Sequence, residues 1–305
     1  MTAVPNPYAE RLARVPATDR TVRVLGSDTR YWEYGARGDG PTLVLVHGFR
    51  GDHHGLEPVV AFLPGVHIVS PDLPGFGSST PLGEVRHDID GYGRWLAAFV
   101  AAIGAERPVI VGHSFGSIVV SGAVAAGLDA DGVVLINPIA APALAGPRGV
   151  LTRLAVFYYW LAAALPEGLG FALLRNRMIV RIMSLAMVKT RRRSLRRFVH
   201  DQHDRYFSAF ADRRVVLEAF RASVSEDVSE FAARIPQQTL LVAADRDDIT
   251  PVLAQVRLQH LFPHASLKII AGVGHLIHYE KPREAAGHIA RFLGLDAGTQ
   301  LGESQ

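Results

Sequence analysis

Apolar and polar positions along the chain follow two rhythms. Short, largely unbroken runs of β-branched and aliphatic residues recur at Thr42–Val46, Val66–Ser70, Pro108–Val111, Val133–Ile136, Gln238–Ala244 and Leu267–Ile270. Runs of this length, bounded by Gly, Pro or Asp, predict strands buried on both faces. Between them the apolar positions take up helical spacing near Leu56–Leu63, Tyr92–Ile103 and Ser117–Ala126. Thr21–Tyr34 reads as two short strands around Gly26-Ser27-Asp28. Buried strands alternating with helices imply an α/β architecture, a mostly parallel central sheet flanked by helices. No internal repeat interrupts the pattern, and the polar, Gly-containing stretch 297–305 is expected to fray.

From Asn137-Pro138 to about Phe231 the strand alternation stops and helical patterns take over. This predicts an inserted α-helical cap over 139–231, dividing a core domain formed by 1–138 and 232–305. The first part of the insertion, Leu154–Leu165, is apolar and holds Phe157, Tyr158, Tyr159 and Trp160. It is only about half the length of a membrane-spanning helix. Residues 175–197 carry nine basic side chains and no acid, which leaves 23 basic against 29 acidic groups elsewhere. The formal net charge of +3 therefore hides a positive insertion on a negative remainder.

Composition narrows the chemistry. A chain of 305 residues, 49% of them hydrophobic, is long enough for one large α/β core plus an insertion. It has no cysteine, which excludes disulfides, thiolate catalysis and Cys-ligated metal centres. That fits a reducing compartment. The first 19 residues carry Glu10, Arg11 and Arg14 and no apolar signal segment, so a cytoplasmic location is expected. No nucleic-acid-binding motif accompanies the basic run.

Candidate chemistry lies just past the predicted strands. Val111-Gly112-His113-Ser114-Phe115-Gly116 places a serine between two glycines, at the junction of an apolar strand and a small-residue helix. Such a junction is a sharp, strained turn that lifts the hydroxyl out of the sheet edge. A serine needs a base to take its proton and a third group to orient that base. Asp245, Asp247 and Asp248 follow the strand Gln238–Ala244, and His275 follows Leu267–Ile270 in Gly272-Val273-Gly274-His275.

With Val44-Leu45-Val46-His47-Gly48-Phe49, Pro71-Asp72-Leu73-Pro74-Gly75-Phe76-Gly77-Ser78-Ser79, Asp247-Asp248-Ile249-Thr250-Pro251 and Glu280-Lys281-Pro282 in the same order, the chain resembles the α/β-hydrolase family. Taken singly, His47-Gly48 is a tight turn and Pro71–Ser79 a loop; their order carries the likeness. The resemblance implies Ser114 as nucleophile, His275 as general base and then acid, and an oxyanion hole from the backbone N–H groups of Phe49 and Phe115. The family's acid stands four residues before the proline, which selects Asp247, with Asp248 the runner-up.

The implied activity is a serine hydrolase cleaving an ester-like bond of a fairly hydrophobic small molecule through an acyl-enzyme, without cofactor or metal. Thioesterase, amidase, lactonase and perhydrolase chemistry share the scaffold. A carbon–carbon hydrolase of the meta-cleavage-product type is the nearest alternative. Its members usually carry Gly-Gly after the elbow residue, where this chain has Gly116-Ser117. Epoxide hydrolases and dehalogenases use Asp at the elbow and are disfavoured. A ligand-binding module on the same fold is the reading from another class.

Other residues keep more than one reading. Met183 and Met187 share a helix face and are either core or a flexible apolar wall of the substrate pocket. His113 is either structural or part of that wall, and His278 is structural. Asp52, His53 and His54 lack further ligands at metal-binding spacing and are expected to form a solvated loop. The basic run 175–197 is a solvated surface, a peripheral contact with an anionic membrane, or a device steering an anionic substrate.

Overall fold

The computed structural model describes residues 4–38, 40–141 and 149–295. The fraying tail expected at 297–305 lies outside the described residues. Eight strands form one sheet: β1 Ala17–Val24, β2 Ser27–Tyr34, β3 Leu43–Val46, β4 Ile68–Pro71, β5 Val109–His113, β6 Gly132–Ile136, β7 Thr239–Ala244 and β8 Ala265–Ile270. Their spatial order is β1-β2-β4-β3-β5-β6-β7-β8. The hairpin β1–β2 pairs antiparallel, β2 pairs antiparallel with β4, and the rest are parallel. Leu25 and Gly26 turn the hairpin with positive φ.

Why the parallel strands are continuously apolar is visible in where alternate residues go. Val44 and Val46 join one core cluster while Leu43 and Leu45 join another on the opposite face. Ile110 and Val133 likewise oppose Val111 and Val134. β3, β5 and β6 thus send side chains into two cores, whereas β8, at the edge of the sheet, departs from the expected burial on both faces: only Ile270 is buried and Ile269 is exposed. The first is covered by α1 (Ile89–Ala102) and α2 (Phe115–Ala125), the second by α9 (Pro282–Phe292). Asp88 caps α1 by accepting the Gly91 N–H at 2.9 Å. Helix α8 (Val252–Gln259) starts directly after Pro251. The helix expected over Leu56–Leu63 shortens to a single turn, Glu57–Val60.

Between β6 and β7 the described residues form five helices of more than one turn, α3 (Gly149–Ala164), α4 (Glu167–Leu174), α5 (Arg177–Met187), α6 (Arg193–Tyr206) and α7 (Arg213–Ser225), and the single turn Ser229–Ala232. Tyr159, Ala162, Leu174, Val215, Val216 and Ala219 from these helices bury into the first core. A third, smaller cluster joins Leu195, Phe198 and Val199 of α6 to Leu276 and Tyr279, beside His275. Backbone hydrogen bonds from Gly77 to Ala209 and from Ala211 to Gly75 tie the insertion to the Pro71–Ser79 loop. No helix among the described residues is long and apolar enough to cross a membrane.

Candidate active site

The parallel register brings the C-terminal ends of β5, β7 and β8 to one edge of the sheet, where ligands of such sheets bind. Ser114 stands between β5 and α2 with φ 53° and ψ −119°. That region strains any residue with a Cβ and persists only where neighbours enforce it. They do so here. The Ser114 N–H donates to Ile136 O at 3.1 Å, and the Ser114 carbonyl accepts from the Ser117 N–H at 2.8 Å and from the Ser117 hydroxyl. Ser117 Oγ also accepts the Ile139 N–H at 3.2 Å, so the residue that departs from Gly-Gly fastens the elbow to the chain leaving β6. A side chain on Gly116 would strike the carbonyls of Val46 and His47, which explains the glycine after the elbow.

His275 Nε2 lies 2.7 Å from Ser114 Oγ, and its Nδ1 lies 2.7 Å from Asp247 Oδ2. Asp247 and His275 are buried, at 6% and 5% exposure, so their contact is shielded from water. Burial pushes the Asp247 pKa up, but the His275 ring and the Ile249 and Thr250 donors outweigh it and hold the carboxyl below its ordinary range. The Ile249 N–H donates to Asp247 Oδ1 at 2.7 Å and the Thr250 hydroxyl to Oδ2 at 3.2 Å. The other two aspartates do other things. Asp248 pairs with Lys189 at the surface. Asp245 Oδ1 accepts from the N–H groups of Gly272 and Val273, at 2.7 and 3.2 Å, and shapes the loop that delivers His275.

The Gly48–Phe49 turn approaches the same hydroxyl: a Cβ on Gly48 would sit 3.2 Å from Ser114 Cβ. His47 holds this turn, its Nδ1 2.8 Å from Gly48 O and its Nε2 accepting the Leu73 N–H at 2.8 Å. The Phe49 ring meets Phe115 edge-on with centroids 6.3 Å apart. It also meets Tyr159 of α3 and Phe220 of α7, with centroids 5.6 Å away in each case, so aromatic rings from these helices pack against the turn beside Ser114. Phe115 opens α2, whose N-terminus adds a positive dipole end at Ser114.

His113 is buried beneath this arrangement, its Nε2 3.3 Å from His275 O and its ring 4.1 Å from that of His278. Burial, reinforced by His275, lowers its pKa to about 3, so it is neutral. Met187 is half-buried against the cluster containing Leu276 and Tyr279, and Met183 is half-buried on α5. The segment Asp52-His53-His54 departs from the expected solvated loop. His53 is 3% exposed, stacked on Trp32 at 3.2 Å and held by Asp72 at 2.9 Å, while His54 stacks on Tyr206 of α6 at 3.9 Å. Their ligand atoms lie within 4.8 Å of one another, but the Nδ1 atoms already face Asp72 and Asp52.

Two residues to which the sequence assigned no role in the site organise it. Asn137, buried at φ 44°, accepts the Ala244 N–H at 2.9 Å and donates to His275 O at 2.9 Å and Gly274 O at 3.3 Å, locking β6, β7 and the His275 loop together. Arg50, fully buried next to Phe49, donates from Nε to Phe207 O at 2.9 Å and from Nη2 to Leu174 O at 2.8 Å. The only sequence cue for Asn137 was its position at the end of a predicted strand.

A sequence model of the alpha/beta hydrolase family matches residues 43–287, and the chain belongs to that family. A pimeloyl-[acyl-carrier protein] methyl ester esterase of Aeromonas hydrophila is 44% identical over 87 residues, 28% of this chain and 32% of that protein. Epoxide hydrolase A of Mycobacterium tuberculosis is 35% identical over 130 residues, 42% of this chain and 39% of its own length. The chain thus spans well under half the length of these curated relatives. Among solved structures, a thermophilic esterase from Thermogutta terrifontis superposes with a TM-score of 0.71 at 18% identity, covering 92% of this chain and 98% of the esterase. That likeness concerns the fold.

Proposed function

We propose that the protein is a serine hydrolase that cleaves an ester bond of a hydrophobic small molecule through an acyl-enzyme, with α3–α7 as a cap over the site. The observation that carries this reading is the continuous relay from Ser114 Oγ through His275 to Asp247, with both links at 2.7 Å. Attack of Oγ on the ester carbonyl forms the C–O bond as its proton passes to His275 Nε2. The Phe49 and Phe115 N–H groups are the donors proposed to hold the resulting oxyanion. Collapse breaks the bond to the alcohol, which leaves with the proton from His275. Water, deprotonated by the same ring, then releases the acid and restores Ser114. Asp247 orients the ring and offsets its transient charge.

The aromatic wall of Phe49, Tyr159 and Phe220 favours an apolar acyl or alcohol group. Arg50, the buried cation behind it, is committed to the Phe207 and Leu174 carbonyls and, at 3.4 Å, to the Tyr159 hydroxyl. It does not serve as a partner for a substrate carboxylate, which weighs against the carbon–carbon hydrolase reading. Met183 and Met187 are proposed as the flexible part of the wall. On short- and medium-chain p-nitrophenyl esters, Ser114→Ala is expected to lower kcat by at least about 10⁴-fold and to abolish fluorophosphonate labelling. Wild-type turnover by that variant, or no ester turnover by the parent, overturns the proposal.

A further inference from the structure

Helix α5 has two apolar faces, and the core uses only one of them. Val180 and Ser184 are buried, and Met187 packs on the cluster around Leu276. On the other side Met178, Ile182 and Leu185 stand 73%, 60% and 45% exposed. Their spacing of four and three residues lines them up as one stripe along the helix. Arg177 and Arg181 border it, one turn apart, as basic side chains do at the edge of an interfacial helix. The preceding helices α3 and α4, packed on each other, expose Leu154, Phe157, Trp160 and Leu169.

The charge beside the stripe is mostly basic, with Asp204 the acid that faces it. Arg181 pairs with Asp204, and Ser184 Oγ meets His200 Nδ1 at 2.6 Å, so α5 and α6 run antiparallel. The exposed Arg191, Arg192, Arg193, Arg196 and Arg197 therefore gather near the C-terminal end of the stripe. Arg191 and Arg192 also line an open cleft with Arg246 and Arg283, in which Glu280 and Glu284 are the acids. We propose that this outer face of α5 and the start of α6 docks on an anionic lipid bilayer, the stripe entering the headgroup region and the arginines meeting lipid phosphates. A two-fold dimer would set the same basic patch against itself, whereas an anionic surface is complementary to it. The proposal concerns the outer surface alone and does not depend on the hydrolytic reading.

The test is co-sedimentation of the full chain with vesicles of phosphatidylcholine alone and of phosphatidylcholine mixed with phosphatidylglycerol. The wild type is expected to bind the mixed vesicles at least about tenfold more tightly than the neutral ones, and less tightly as salt rises. Met178→Ser/Ile182→Ser/Leu185→Ser and, separately, Arg191→Gln/Arg192→Gln/Arg193→Gln should each weaken binding by at least about tenfold. Both variants should keep wild-type turnover of a soluble short-chain ester, and the charge variant preserves the test should the apolar one not fold. Absence of binding to the mixed vesicles, or binding unchanged in either folded variant, overturns the proposal. So does a dimer seen by light scattering that dissociates in the apolar variant while vesicles remain unbound, since a second copy would then occupy the face.

Discussion

At the scale of single residues, three neighbouring aspartates take different partners, and only one of them reaches His275. Asp247 is buried and receives His275, Ile249 and Thr250, whereas Asp248 turns outward to Lys189 and Asp245 ties down the Gly272-Val273 backbone. Asp247→Asn keeps the shape of the side chain but removes the charge that fixes the His275 tautomer. It is expected to lower kcat on a p-nitrophenyl ester by about 10⁴-fold with little change in KM. Asp248→Asn, which loses only a surface ion pair, should stay within about twofold of wild type. Equal losses in the two variants would mean that the relay is drawn through the wrong carboxylate. In the sequence all three stood within four residues past one strand, and only the family's spacing to Pro251 separated them. The physical distinction is a turn geometry set by Ile249 and Thr250, which no local pattern encodes.

At the scale of elements, the surroundings of Ser114, the proposed nucleophile, depend on how the helices between β6 and β7 are clamped to the sheet edge. Arg50 spans this joint: its guanidinium reaches the end of α4 and the loop after α6, and lies 4.7 Å from the Phe207 ring centroid. Its backbone, at φ 58°, continues directly from Phe49. Arg50→Met would leave the buried Leu174 carbonyl and the half-buried Phe207 carbonyl without their donor, a loss of about 2–4 kcal/mol in urea-induced unfolding. Because the same residue directly follows Phe49 in the turn, kcat should fall more than KM rises. A variant as stable and active as the parent would show the clamp to be dispensable. The strands, their parallel order and the helical character of the insertion were legible from periodicity, since burial on two faces leaves an apolar run with few alternatives. Contacts such as Arg50 to Phe207, 157 residues apart, were not. Nor was the burial of His53 and His54, which depends on Trp32 and Tyr206 arriving from distant elements to stack on them.

At the scale of the whole molecule, a group of neutral buried histidines makes stability depend on pH. Burial lowers His113 and His203 to about 3 from an ordinary 6.5, with neighbouring histidines adding to the shift and Arg181 adding at His203. His278 is also pushed well down by burial and by His113, His275 and His203. A histidine whose pKa is lower in the folded state takes up its proton on unfolding, so falling pH favours the unfolded chain from about 6.5 downward. At pH 5 His113 and His203 each cost on the order of 2 kcal/mol relative to neutral pH. The carboxyls of Asp72 and Asp247 are also shifted down, below their ordinary 3.8, so the stabilisation they contribute is lost only in stronger acid. The thermal midpoint should therefore drop between pH 7 and pH 5, before carboxylate protonation contributes. His203 offers the cleanest test, since its Nδ1 meets Ser184 Oγ at 2.7 Å within the α5–α6 pair. His203→Asn keeps a polar group at that position but cannot titrate, so it should remove roughly 4 °C of the acid-induced drop while lowering the midpoint at pH 7. A midpoint that is flat between pH 7 and pH 5, or a variant falling as steeply as the parent, would remove the buried histidines as the cause.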